Sequence, residues 1–161
     1  MAFGVALSIK AELGTSPISS LPYVTAVISG LSVGTTTIIV NSLFVLIQII
    51  LLRRNYEWFQ LLQIGIAVVF GMMIDLFGLR LEPVAAGNYA VQWLLCAGGI
   101  VFVALGISIE VAANLVPTAG EGLVLAVCQV TPFKFGNMKV ALDVTLVVLS
   151  VAAGFIFLGR L

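Results

Sequence analysis

The chain has 161 residues, of which 61% are hydrophobic and 9% charged, with a mean hydropathy of +1.24 and seven basic residues balancing seven acidic ones. A soluble domain carries charge on roughly a quarter of its residues, so the composition defines an integral membrane protein, and the balanced charge without a basic cluster excludes nucleic acid as a partner. There is no histidine, and Cys96 and Cys128 stand apart inside apolar runs. His-dependent hydrolysis, metal clusters and haem attachment are thereby set aside, and no cofactor is expected.

Met1 to Ile9 is apolar but reaches only about 14 Å as a helix before Lys10 and Glu12, under half of the roughly 30 Å hydrocarbon layer. It has neither a basic leader nor a small-residue cleavage site, and the expectation is a chain that begins partway through its first helix. Ile18 to Gly30 follows as a short segment, and Val33 to Leu52 is long enough to span, stopping at Arg53 and Arg54. Trp58 to Leu79 spans with Gln60, Gln63 and Asp75 inside it, and Ala90 to Ala113 spans with Gln92 and Glu110. Thr118 to Thr131 is a second short segment, and Val140 to Leu158 spans with Asp143 inside it. Tyr56, Trp58, Tyr89 and Trp93 stand at segment starts, where amphipathic rings settle at the headgroup level.

The two short segments reach about 20 Å as helix, too little to cross untilted. They read as re-entrant or half-spanning helices that start at capping signals. Thr15 or Ser16 before Pro17 supplies a hydroxyl N-cap with proline near the first helical position, and Thr118 with Glu121 forms a capping box. Non-helical backbone at that depth survives only where protein or a wet cavity covers it, so a cavity is expected where the two breaks meet.

Residues 2–52 and 104–154 follow one plan at a fixed offset of 102 residues: an apolar run, a polar break, a short segment, a glycine (Gly34, Gly136) and a long apolar run. Few positions match their counterparts, among them Ala2, Gly4, Ala11, Leu13, Leu21 and Gly34, so the order of elements carries the argument. The expected fold is an all-α, polytopic membrane helical bundle forming a single domain over residues 1–161. It has two pseudo-symmetric halves, each with a short broken or re-entrant helix, joined by a linking helix at 58–79; the second half starts its first helix near residue 90. Re-entrant short segments make the halves inverted and spanning ones make them parallel. Basic residues divide equally between the two, and segment length favours inversion.

Ionisable groups inside spans are costly unless paired or hydrated, which makes each a functional candidate. Glu110 and Asn114 share one helical face just before the second break. Asp75 lies between Gly71 and Gly78, and the competing reading is an interface carboxylate that snorkels toward Arg80. Asp143 competes between a transport role and an ion pair with Lys139, four residues back. Asn41 holds the matching place in the first half, with an interhelical hydrogen bond as its alternative. Lys10 and Glu12 are either an ordinary helix end or partners of the second half. Glu121 is either a local cap or a ligand group. The helix starts at Thr15, Ser16 and Ser19 and at Thr118 to Glu121 present free N–H groups that attract a polar acceptor.

With Gly4-Val5-Ala6-Leu7-Ser8-Ile9-Lys10-Ala11-Glu12-Leu13-Gly14-Thr15-Ser16-Pro17 and the Gly71 to Leu76 run in view, the chain resembles the YczE/YyaS/YitT family of small bacterial membrane proteins. The resemblance covers most of the chain, with Lys10 to Pro17 its most specific part. It implies residues ahead of the position of Met1, a Lys10 end away from the cytoplasm, and a transporter-like role without an assigned substrate. Lys10, Glu12, Gly14, Thr15, Ser16, Pro17 and Asp75 are typical of that family.

The expected function is secondary transport or export of a small polar solute in the bacterial inner (cytoplasmic) membrane. Its midplane site is expected from Thr15, Ser16, Ser19, Asn41, Glu110, Asn114, Thr118, Glu121 and Asp143, with Lys10, Glu12 and Asp75 as coupling or motif residues. Proton coupling through Glu110 follows as an expectation that solute uptake insensitive to Glu110→Gln would sink. Membrane lipid is the other expected partner, and Gly98, Gly99 and Gly106 offer a close contact for a homodimer. The rival reading is a non-transporting accessory protein, whose broken segments pack dry and whose cavities touch neither Glu110 nor Asn41. A lipid-directed enzyme is a further alternative, limited to serine, threonine, lysine or carboxylate chemistry.

Overall fold

Among the described residues of a computed structural model (1–53, 56–84, 87–113 and 116–159, leaving aside the side chains of Val111 and Leu158), the chain is all helical. The elements are α1 (Ala2–Ala11), α2 (Pro17–Ser29), α3 (Val33–Leu52), a 3-10 turn (Trp58–Leu61), α4 (Leu62–Leu81), α5 (Tyr89–Ala113), α6 (Ala119–Val130) and α7 (Phe135–Leu158). Four stretches are long and apolar enough to cross a bilayer: Val33–Leu52, Trp58–Leu81, Tyr89–Glu110 and Phe135–Phe157. Their outward surfaces are large and hydrophobic, with Leu94, Ile109, Phe155 and Ile156 each more than two thirds exposed. In water such a surface would drive aggregation, whereas against lipid tails it is the ordinary exterior.

Small residues set the tightest contacts. Gly4 of α1 lies against Gly99 of α5, where an added Cβ on Gly99 would stand 2.9 Å from the Gly4 carbonyl oxygen, and Gly106 lies against Met1. Gly99 and Gly106, expected to offer a face to a second copy, are therefore occupied by α1. Phe3 completes this seam with edge-to-face contacts to Phe77 of α4 at 5.2 Å and Phe102 of α5 at 5.0 Å. On the other side of α4, Gly34 and Gly71 bring α3 and α4 together backbone to backbone.

The short helices pack crosswise: α2 on α7 and α6 on α3, each also touching the long helix that follows it in sequence. Around them Val40, Phe44 and Val45 of α3, Ala119 and Leu123 of α6 and Leu146 of α7 form the buried core, with Ile18 and Leu21 of α2 packed against it. Pro17 and Ala119 start the short helices, and Val33 and Phe135 the long ones after them, each pair 102 residues apart. The last helix begins at Phe135 rather than Val140, because Gly136 and Asn137 are accommodated in its first turn, and so Lys139 and Asp143 share one helix.

Local chemistry explains the ends. Gly30 closes α2 in the left-handed conformation, φ 72°, and its N–H donates to Ala26 O at 2.9 Å. Pro22 interrupts α2 from within, and its carbonyl accepts the Thr36 hydroxyl at 2.8 Å, tying the middle of α2 to the first turn of α3.

Candidate functional site

Two helix starts, those of α3 and α6, receive a carboxylate from a distant part of the chain. Ser16 is the N-cap of α2, but its side chain makes no capping bond; the hydroxyl donates to Ser19 Oγ at 3.0 Å. The expected capping box at α6 also fails. The Thr118 side chain caps nothing, and its backbone N–H donates to Glu110 Oε1 at 2.9 Å, so Glu110 takes the place assigned to Glu121. A carboxylate at the positive end of a helix dipole is well placed. Glu110→Ala is expected to lower stability by about 1–2 kcal/mol, and Glu110→Gln, which keeps an acceptor oxygen, by less; denaturant unfolding in detergent micelles measures both.

Asp75 neither reaches toward Arg80 nor stands free. Its Oδ1 accepts from Gly34 N at 2.7 Å and its Oδ2 from Ser32 Oγ at 2.6 Å, while Ser32 Oγ accepts from Thr35 N at 3.1 Å. The carboxylate thus caps α3 from α4. Asp143 pairs with Lys139 at 2.8 Å along α7, the structural alternative of the two readings. Lys10 Nζ donates to Glu82 O at 3.3 Å at the end of α4, and Glu12 ends α1 in the left-handed conformation, φ 57°. Asn41 is half-buried on α3, Glu121 is half-buried on α6, and Thr15 has a buried hydroxyl without a partner. Asn114 lies outside the described residues.

The expected wet space between the two helix starts is filled. Gly120 at the start of α6 receives the Ile18 side chain from the start of α2, and the apolar core surrounds that contact. Neither of the two cavities described below is lined by Glu110, Asp143 or Asn41. The polar convergence is elsewhere, among residues that charge-based reasoning passed over.

Gln48 of α3 and Gln63 of α4 are 1% and 2% exposed. Gln48 Nε2 donates to Ala119 O at 2.9 Å, whereas among the described residues Gln63 has a partner for neither its oxygen nor its nitrogen. Both amides point at Gly122, where an added Cβ would stand 2.9 Å from Gln48 Oε1 and 2.7 Å from Gln63 Nε2. Gln63 and Gly122 line a cavity of about 180 Å³ together with Gln60, Gln129 and Glu57. Gln60 Oε1 is also buried without a partner. Nearby, Tyr56 packs on the apolar core with a buried hydroxyl that has no partner among the described residues, and that burial raises its pKa. The sequence signal for this cluster was available: Gln48, Gln60 and Gln63 are polar interruptions within a few residues of one connection, α3 to α4. A second cavity, about 440 Å³ and largely apolar, lies where Ser32 and Asp75 meet Ala6 and Ile74.

The fold and these polar positions define a multi-helix membrane protein with four helices long and apolar enough to cross. The chain belongs to the family described as "Family of unknown function (DUF6198)", whose model matches residues 1–161. No curated protein and no solved structure matches it.

Proposed function

We propose that the protein is a carrier for a small polar solute, built from two related and oppositely oriented halves, in the bacterial cytoplasmic membrane. The observation that carries the reading is the course of the short helices. The start of α6 lies beside the middle of α3, sharing a core with Phe44 and Val45, and its later residues Ala126 and Gln129 line a cavity with Leu52 and Glu57 beyond the end of α3. From Val45 to Leu52 is about 10 Å of helix, so α6 runs from beside the middle of α3 toward and past its end. The start of α2 meets that of α6 at Ile18 and Gly120, and its end lies next to the start of α3. The two short helices diverge from one point toward opposite ends of α3, as half-helices of inverted repeats do.

Matched contacts add support. Gln48 meets Gly122 across α3 and α6, and Ser150 donates to Ser20 at 3.0 Å across α7 and α2. Residues 48 and 150, and 20 and 122, are again 102 apart. The likeness to YczE, YyaS and YitT proteins agrees with this reading but assigns no solute.

Single cysteines in a Cys96- and Cys128-free background test the architecture. Leu13→Cys and Leu31→Cys are expected to react with an impermeant maleimide from one side and Phe133→Cys from the other. Spanning short helices would instead place Leu31 and Phe133 on the same side. For transport itself, vesicles containing the protein are expected to reswell faster than empty ones under an acetamide or urea gradient in stopped-flow light scattering. Equal rates favour the accessory reading, which has its own support in the apolar Ile18 contact and in cavities lined by neither Glu110 nor Asn41.

A further inference from the structure

A buried amide without partners is unfavourable, and more so beside hydrocarbon, so such groups persist where something polar fills the space before them. Gln63 is 2% exposed with both amide atoms unpartnered, and it borders the 180 Å³ cavity. At about 30 Å³ each, roughly six waters have the volume of that space. The unpartnered Gln60 Oε1 belongs to the same lining.

The lining selects a chemical class. Glutamine amides both donate and accept, so they match a ligand that presents an N–H and a C=O on one edge. Among the described residues no lysine or arginine lines the cavity, so none of them offers an anion a counter-charge, and the carboxylate there, Glu57, is exposed to solvent. Leu52, Leu125 and Ala126 add an apolar wall suited to a short hydrocarbon body. Gly122 keeps the space open, since any side chain there would push into the ends of Gln48 and Gln63. We propose that this cavity binds a small uncharged solute bearing a carboxamide or urea group, hydrogen-bonded by Gln63 and Gln60.

Three probes of nearly equal size isolate the chemistry: butyramide, butyrate and butylammonium. Saturation-transfer NMR on the full chain in detergent is expected to give butyramide an affinity about tenfold above the other two, one well-made hydrogen-bonded edge being worth that factor. Gln63→Leu and, separately, Gly122→Ala are expected to reduce butyramide binding to the level of empty micelles. Gly122→Ala meets only flexible side-chain ends and keeps the fold, which guards the test against a misfolded first variant. Strongest binding by butylammonium would give the site to Glu57 and overturn the proposal. So would butyramide binding unchanged in both variants, or no probe binding at all, the outcome of a cavity that holds water alone. The inference goes beyond the carrier reading and fails separately from it: binding without flux sinks only the carrier, and flux without amide preference sinks only this site.

Discussion

Gly34→Val is expected to lower stability by about 3–5 kcal/mol, the largest effect of any single change at the α3 and α4 seam. A Cβ at Gly34 falls on the Gly71 carbonyl oxygen and on the Asp75 carboxylate. Backbone cannot swing aside as a long side chain can, so the helices must separate. Overpacking of this kind costs about 1–3 kcal/mol. Separation also removes the two bonds that Asp75 accepts from Ser32 and Gly34, and bonds to a charged group contribute about 1.5–3 kcal/mol each before solvation of the freed carboxylate is counted. Because both mutations act on one contact, Asp75→Ala in the Gly34→Val background should cost under about 0.5 kcal/mol more. Denaturant unfolding of the two single variants and the double variant measures this, and additive losses would show that the carboxylate stabilises something other than this helix start.

Gln63→Leu is expected to act in the opposite direction, raising the stability of the unliganded protein by about 1–3 kcal/mol. The side chain is nearly the same size, the position is 98% buried, and no hydrogen bond is lost because neither amide atom has a partner. Leucine therefore keeps the packing and removes the unfavourable burial. Gln48→Leu serves as the internal contrast: it removes the bond that Gln48 Nε2 donates to Ala119 O, and it should destabilise. A Gln63→Leu variant less stable than the parent would mean that this amide is held by partners of its own. Gain in stability with loss of binding is the behaviour of a residue kept for a ligand.

Composition and the order of apolar and polar runs made the membrane class, the long helices and the two short ones legible, because hydropathy and length act locally along the chain. The starts of α2 and α6 fell within a residue of where Pro17 and Thr118 placed them. What caps the starts of α3 and α6 was not legible. Asp75 is 43 residues from the Ser32 it binds, and nothing near either residue encodes the pairing. Glu121 follows Thr118 at capping-box spacing, yet Glu110 arrives through the fold and takes the donor. The polar cluster was hidden for another reason. Charge draws the eye to Glu110, Asp143 and Asp75, each of which is occupied by a cap or an ion pair, whereas the neutral amides of Gln48 and Gln63 are among the most deeply buried polar groups of the described residues. Desolvation penalises an amide as well as a carboxylate, so polar neutrals inside apolar runs merit the same scrutiny as charges.

The crosswise arrangement of the short helices has a consequence for biogenesis. Ser20 in α2 finds its hydroxyl partner at Ser150, 130 residues later in α7. During insertion the α2 segment must wait in the bilayer, with Ser19 and Ser20 short of their final surroundings, until translation of α7 is nearly complete. The α2 and α7 contact therefore closes a long loop of chain, and it can form only after every helix between them has been made.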